Sequence, residues 1–391
     1  MGDFGFDDLA LLAAIGLVGP LLAAAPGLRL PVIIGELAAG LVIGNTGLRV
    51  LDPDEPTFAM LAAVGFALVM FVVGTHVPIH EIGLRGALPA AVARSALIGV
   101  VAAGLAVLLD AVFGGGHILL FAVLMASSSA ALALPLIQSL ELDGPPVLSV
   151  TAQIAIADTA AIVLVPLVIE TDRAVRTAVG AVVVAGAAAV IYGLLRLVDR
   201  RRLRRFHKYS ERHRFALELR ISLLLLFALA AIATTAHVST MLAGFTLGLA
   251  VGAVGQPRRL ARQLFGITEG FFGPVFFVWL GASLDVRELA HHPRLIALGV
   301  ALGLGAVAAH AVAVFTGQPL TLAVLASGQL GVPIAAATLG TEDHLLAPGE
   351  PAALMLGALV TIAAVSIANR VARHRRRIHE TPGPPEPQPS A

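Results

Sequence analysis

The sequence predicts an all-α polytopic membrane protein of about 13 transmembrane helices, built as inverted repeats with two interrupted, crossing helices. Three observations carry the prediction. The 391 residues are 58% hydrophobic and only 13% charged, with a mean hydropathy of +0.90, whereas a soluble domain carries roughly 25% charged residues. Apolar segments of membrane-spanning length follow one another along almost the whole chain. Two pairs of those segments resemble each other at one common spacing.

A hydrocarbon core of about 30 Å takes roughly 20 apolar residues of helix. By that measure the spans fall at 6–25, 31–47, 58–77, 87–109, 116–140, 147–169, 176–198, 217–236, 239–255, 264–284, 295–315, 319–339 and 352–373. The ninth is short, and the tenth carries Glu269 near its start. One transmembrane domain at 1–373 follows: repeat one at 6–170, a linker helix at 176–198, a basic loop at 199–216 (DRRRLRRFHKYSERHRFA) and repeat two at 217–373. Residues 374–391, ending in the Pro-rich TPGPPEPQPSA, read as a disordered cytosolic tail. Asp3, Asp7 and Asp8 stand where a signal peptide has its positive region, so none is read there. The absence of cysteine excludes disulfides and thiolate metal sites. A net charge of +1 gives no footing for a nucleic-acid partner.

Thirteen crossings place 21 of the 26 Lys and Arg residues on one side of the membrane, leaving Arg49, Arg173, Arg176, Arg287 and Arg294 on the other. Because basic residues concentrate in the cytosol, the N-terminus is expected outside and the C-terminus inside. The internal similarity matches LAAGLVIG (37–44) with LAGFTLGLAVG (242–252), and FVVGTHVPIHEI (71–82) with FVWLGASLDVREL (277–289). Both pairs are seven helices apart. An odd offset makes the two copies cross in opposite directions, the signature of inverted repeats.

Under that offset the fifth and twelfth helices are partners. One carries ASSSAALALP (126–135) and the other ASGQLGVPIA (326–335). Each sets small polar residues in mid-membrane with a proline beyond, which reads as a break in the helix; Gly328 and Gln329 mark the second. Such breaks are tolerated where protein or a wet cavity supplies hydrogen-bond partners, and their half-helix ends present partial charges to an ion. Small residues that merely tune packing are the blander alternative.

Asp158, in QIAIADTAAIV (153–163), is the sharpest single residue. An ionised Asp at the centre of a membrane helix costs at least about 2.5–3.5 kcal/mol, so it is read as a group that is protonated when empty and ionised when a cation is bound. Thr151 lies two turns earlier on the same face. His310, in GAVAAHAVAVF, is a candidate charge partner or proton relay, or a neutral ring bonded to a carbonyl. Glu36, nearer a helix end, is a candidate structural acid. No enzyme motif holds: IHEIGLRG (79–86) places Leu84 where a zinc-protease helix needs its second His, and no Walker segment is present. No metal beyond a transported cation, no cofactor and no catalytic residue is expected.

LPVIIGELAAGLVIGNTGL (30–48), MFVVGTHVPI (70–79), MASSSAALALPLIQSLEL (125–142), QIAIADTAAIVLVPL (153–167), LAGFTLGLAV (242–251) and FFGPVFFVWLGASLDV (271–286) together resemble the second family of monovalent cation:proton antiporters, which includes sodium/proton and potassium-efflux antiporters. The resemblance implies a homodimer in the plasma membrane, with an interface bundle and a moving core bundle that exchange Na+ or K+ for protons. It matches Asp158 to the family's essential Asp, and Ser128 or Ser129 to its hydroxyl position. The position before the Asp carries Asp, Asn or Gln in the family and Ala157 here, which implies electroneutral exchange unless His310 also titrates. His310 falls about where the family often carries Lys or Arg. Two other readings stay open: a proton- or sodium-coupled organic-solute transporter of the same fold, and a non-transporting membrane sensor or structural protein.

Overall fold

The computed structural model describes residues 4–24, 32–75, 84–138, 140, 144–169, 174–197, 216–236, 238–254, 258–284, 286–342 and 345–379. The predicted basic loop (Ala216 excepted), residues 79–83 of the protease-like segment and the tail from 380 lie outside them. Among the described residues every regular element is helical. In chain order these are α1 (Phe6–Gly16), α2 (Val18–Ala24), α3 (Val32–Ile43), α4 (Pro56–Thr75), α5 (Leu84–Phe113), α6 (Ile118–Ala126), α7 (Ala130–Gln138), α8 (Pro145–Ile169) and α9 (Ala174–Leu197). The second half holds α10 (Leu217–Thr235), α11 (Thr240–Val254), α12 (Arg258–Ile267), a π turn (Thr268–Phe272), α13 (Gly273–Ser283) and α14 (Val286–His291). It closes with α15 (Pro293–Ala311), a 3-10 turn (Val312–Thr316), α16 (Leu320–Ala326), α17 (Gly331–Glu342) and α18 (Glu350–His379).

Ten of the described helical stretches are long and apolar enough to cross a bilayer. The other three predicted spans correspond to the shorter apolar helices α3 and α11 and to the interrupted pair α6–α7. The last helix continues to His379, past the predicted boundary at 373; the first proline beyond, Pro382, comes only after its end.

The repeat is visible in the packing. The second predicted crossing (α3) lies on the tenth (α13), and the third (α4) on the ninth (α11); a seven-helix offset maps one contact onto the other. Both rest on glycine. A Cβ added at Gly40 would stand 2.2 Å from the Val278 carbonyl oxygen, and one at Gly281 would stand 2.2 Å from that of Leu37. At the second contact, a Cβ on Gly244 would meet Ala67 O at 2.2 Å and one on Gly248 would meet Phe71 O at 2.3 Å. Small residues that let backbones touch are how membrane helices associate without a hydrophobic driving force. These four helices form one body. The other holds α5, α6, α8, α15 and α18, packed on one another around both breaks.

Gly281→Ala should therefore lower the melting temperature of the detergent-purified protein, since overpacking costs about 1–3 kcal/mol. Gly99→Ala in α5, where an added Cβ meets nothing within 4 Å, should leave it unchanged or raised. Equal melting temperatures for the two variants would contradict the backbone contact.

Candidate functional site

Both breaks begin with a serine that folds back on its own helix. Ser127 Oγ donates to Leu124 O at 2.8 Å and Ser327 Oγ to Val324 O at 2.7 Å. Serine bonds of this kind compete with the helical ladder, and Ser127 itself has left the helix (φ −73°, ψ 153°). The polar groups released are then satisfied across the crossing. Ser128 Oγ donates to Ala326 O at 2.7 Å, and Ser129 N to Gly328 O at 2.8 Å. Reciprocally, the Gln329 side-chain amide donates to Leu124 O. Each half-helix thus lends a side chain to the carbonyl end of the other.

Asp158, 3% exposed, comes from α8 and accepts a hydrogen bond from Ala130 N at 3.0 Å. Ala130 opens α7, so the carboxylate caps the positive end of a half-helix. It also lines a cavity of about 330 Å³ between the two bodies. Ser129, Leu330 and Gly331 lie on the same wall as Asp158; Met70, Phe276 and Phe277 come from the glycine-packed body, and Glu269 from the π turn. Apart from Ser129, Asp158 and Glu269 the lining side chains are apolar. No group of three or more His, Cys, Asp or Glu suited to a bound metal occurs among the described residues.

The predicted site residues divide. Asp158 and Ser129 share the cavity, with Gly328 and Gln329 in the break behind it. Ser128 and His310 form a separate buried pair: Ser128 Oγ lies 3.2 Å from His310 Nε2, and His310 Nδ1 lies 2.9 Å from Ala306 O. The ring is engaged on both sides by groups other than Asp158. The Ser128 hydroxyl thus has one hydrogen for two neighbours, Ala326 O and the ring. Thr151 is half-buried and is not part of the cavity lining. Glu36, 3% exposed, sits in α3 outside the lining but within Coulombic reach of Glu269. The sequence reading missed Glu269 as a cavity residue. It also missed Thr361, whose hydroxyl accepts from Gln329 N at 3.1 Å. The repeat held a signal for Thr361, because α8 and α18 are partners seven crossings apart.

Comparison with known proteins adds a family. A profile described as "Sodium/hydrogen exchanger, transmembrane" matches residues 11–370. The putative Na(+)/H(+) antiporter YjbQ of Bacillus subtilis is 21% identical over 374 residues, covering 90% of this chain and 61% of that protein. The Na(+)/H(+) antiporter NhaS5 of Synechocystis is 27% identical over 340 residues (81% and 46%). The glutathione-regulated potassium-efflux system protein KefC of Enterobacter is 27% identical over 304 residues (74% and 46%). The chain therefore spans about half the length of these relatives. Among solved structures, the sodium proton antiporter MjNhaP1 of Methanocaldococcus jannaschii has the same fold: TM-score 0.62 at 18% identity, covering 94% of this chain and 98% of that one.

Ser128→Ala removes the group joining Ala326 O and His310, leaving a buried carbonyl and ring nitrogen unpaired. A loss of about 1–3 kcal/mol is expected, read as a lower melting temperature in detergent. An unchanged melting temperature would mean that the hydroxyl does not hold the crossing.

Proposed function

The chain belongs to the sodium/hydrogen exchanger family, and on that premise we propose that it is a secondary antiporter exchanging Na+ or K+ for protons across the cell membrane. The observation that carries the reading is Asp158: a buried carboxylate lining a cavity at the positive end of a broken half-helix. An unneutralised charge at that depth costs at least about 2.5–3.5 kcal/mol. Two occupants remove the cost, a proton by making the group neutral and a monovalent cation by pairing with it. A carrier that moves readily only when Asp158 holds one or the other couples the two fluxes. Cation and proton then compete for one site, and the body carrying Asp158 shifts against the glycine-packed body to open the cavity on alternate sides.

Exchange is electroneutral on this reading. Ala157 supplies no second acid beside Asp158, both His310 ring nitrogens face other groups, and the cavity's other carboxylate, Glu269, is exposed on the π turn. On this reading His310 supports the crossing through Ser128 and is not a charge partner of Asp158. The charge split along the sequence supports an outside N-terminus and a cytosolic C-terminus, and the family resemblance supports a homodimer. The chain acts as a carrier and not as an enzyme. Relatives named for sodium and for potassium leave both cations as substrates to be assayed.

In proteoliposomes, Asp158→Asn should abolish cation-driven dissipation of a pH gradient across Li+, Na+, K+ and Rb+, while the fold survives because the amide oxygen can still accept from Ala130 N. Exchange persisting in that variant refutes the mechanism. The wild-type rate should be insensitive to an imposed membrane potential; a clear voltage dependence would refute one-for-one coupling. The cavity is roomy and largely apolar. Exchange driven by a small organic solute and indifferent to every alkali cation would put the organic-solute reading in its place.

A further inference from the structure

α8 and α18, the sixth and thirteenth predicted crossings, do parallel work at the crossing point. Asp158 on α8 accepts the backbone N–H of Ala130, the residue that opens α7. Thr361 on α18 accepts the backbone N–H of Gln329, two residues before α17 opens at Gly331. Thr361 is fully buried, and its own hydrogen goes to Ala358 O at 2.8 Å. Equivalent helices thus hold the entrances of both half-helices: a carboxylate caps α7 at Ala130, and a hydroxyl pins the chain two residues ahead of α17.

The hydroxyl's bond is one of several that hold this segment. Gln329 is held at its backbone by Thr361 and at its side chain by Leu124 O, while Gly328 O takes Ser129 N. The next residues, Leu330 and Gly331, form the cavity wall shared with Asp158. We infer that Thr361 is a positioning residue for the cation site: it fixes the Gln329–Gly331 segment and with it the distance between the second half-helix and the Asp158 carboxylate. Thr361 cannot ionise, so it keeps the opposite wall in register whichever occupant Asp158 holds. The inference uses the antiporter reading only in naming the occupant as a monovalent cation.

The test measures cation-dependent thermal stabilisation of the full chain in detergent, titrating Na+ and K+ at fixed pH. Half-saturating cation and maximal exchange rate are measured beside it in proteoliposomes. Thr361→Val keeps the shape and removes the hydroxyl; Thr361→Ala removes it with no possibility of a clash; Thr361→Ser keeps it. An unpaired buried N–H predicts that Val and Ala variants need roughly tenfold more cation for half-saturation, with Ser restoring the wild-type value. Where Thr361→Val fails to fold, the Ala variant is read by the same criterion. Half-saturation unchanged in the folded variants overturns the inference whether or not the maximal rate falls, and so does a Ser variant as impaired as Ala. Wild-type protein that no alkali cation stabilises also overturns it. A wild-type chain that binds cations but exchanges none would remove the antiporter reading, and the Val–Ser difference in binding would still decide this one.

Discussion

Everything at the centre of this molecule follows from one constraint: backbone polar groups freed inside a membrane must find partners within the protein. Two helices stop in mid-course, at 127–129 and at 327–330. Each break frees amides and carbonyls that no water-filled exterior can satisfy. The solution is reciprocal, with Ser128 reaching Ala326 O, Gln329 reaching Leu124 O and Ser129 N meeting Gly328 O. At the start of α7 Asp158 accepts Ala130 N, and just ahead of α17 Thr361 accepts Gln329 N. The carboxylate proposed as the exchange site is thus also a structural group. Its position is set by the same hydrogen-bond economy that makes the break possible.

The Asp158 cavity needs a firm opposite wall. The α3–α13 and α4–α11 contacts provide one through glycines whose missing side chains let carbonyls lie in van der Waals contact with the facing backbone. Apolar side chains from that body, Met70, Phe276 and Phe277, face Asp158 across the cavity. An ion lodged there would sit between a fixed greasy wall and a polar one carried by the crossing. On the exchange mechanism proposed above, a modest displacement of one body past the other would expose or seal that charge. Glu269 stands at the border between the two surfaces, on a π turn, a local winding often found at functional sites.

Much of this was legible in the residues. Hydropathy and segment length gave the helical membrane class, and ASSSAALALP with ASGQLGVPIA marked both breaks, because each sets small polar residues in mid-span with a proline beyond. Asp158 stood out since a charge at that depth is expensive. Side-chain partners were less legible. His310 lies in the expected helix, yet whether it faced Asp158 or Ser128 depended on helix rotation, which a nearly uniform apolar stretch such as GAVAAHAVAVF does not encode. Thr151 shares a helical face with Asp158, but the cavity begins only at the level of the break. Thr361 is an unremarkable hydroxyl in sequence and gains its role only through the fold's symmetry. Glu269 looked like a flaw in an apolar span because the π turn that brings it to the cavity has no pattern of its own.

The central claim is that one carboxylate holds either a proton or a cation. Proton release on cation binding tests it most directly, measured calorimetrically on the detergent-purified chain in buffers of different ionisation enthalpy at a pH where Asp158 is protonated. The account predicts about one proton released per cation bound, and neither binding nor release after Asp158→Asn. Cation binding with no proton released, or with release that survives the substitution, would contradict it.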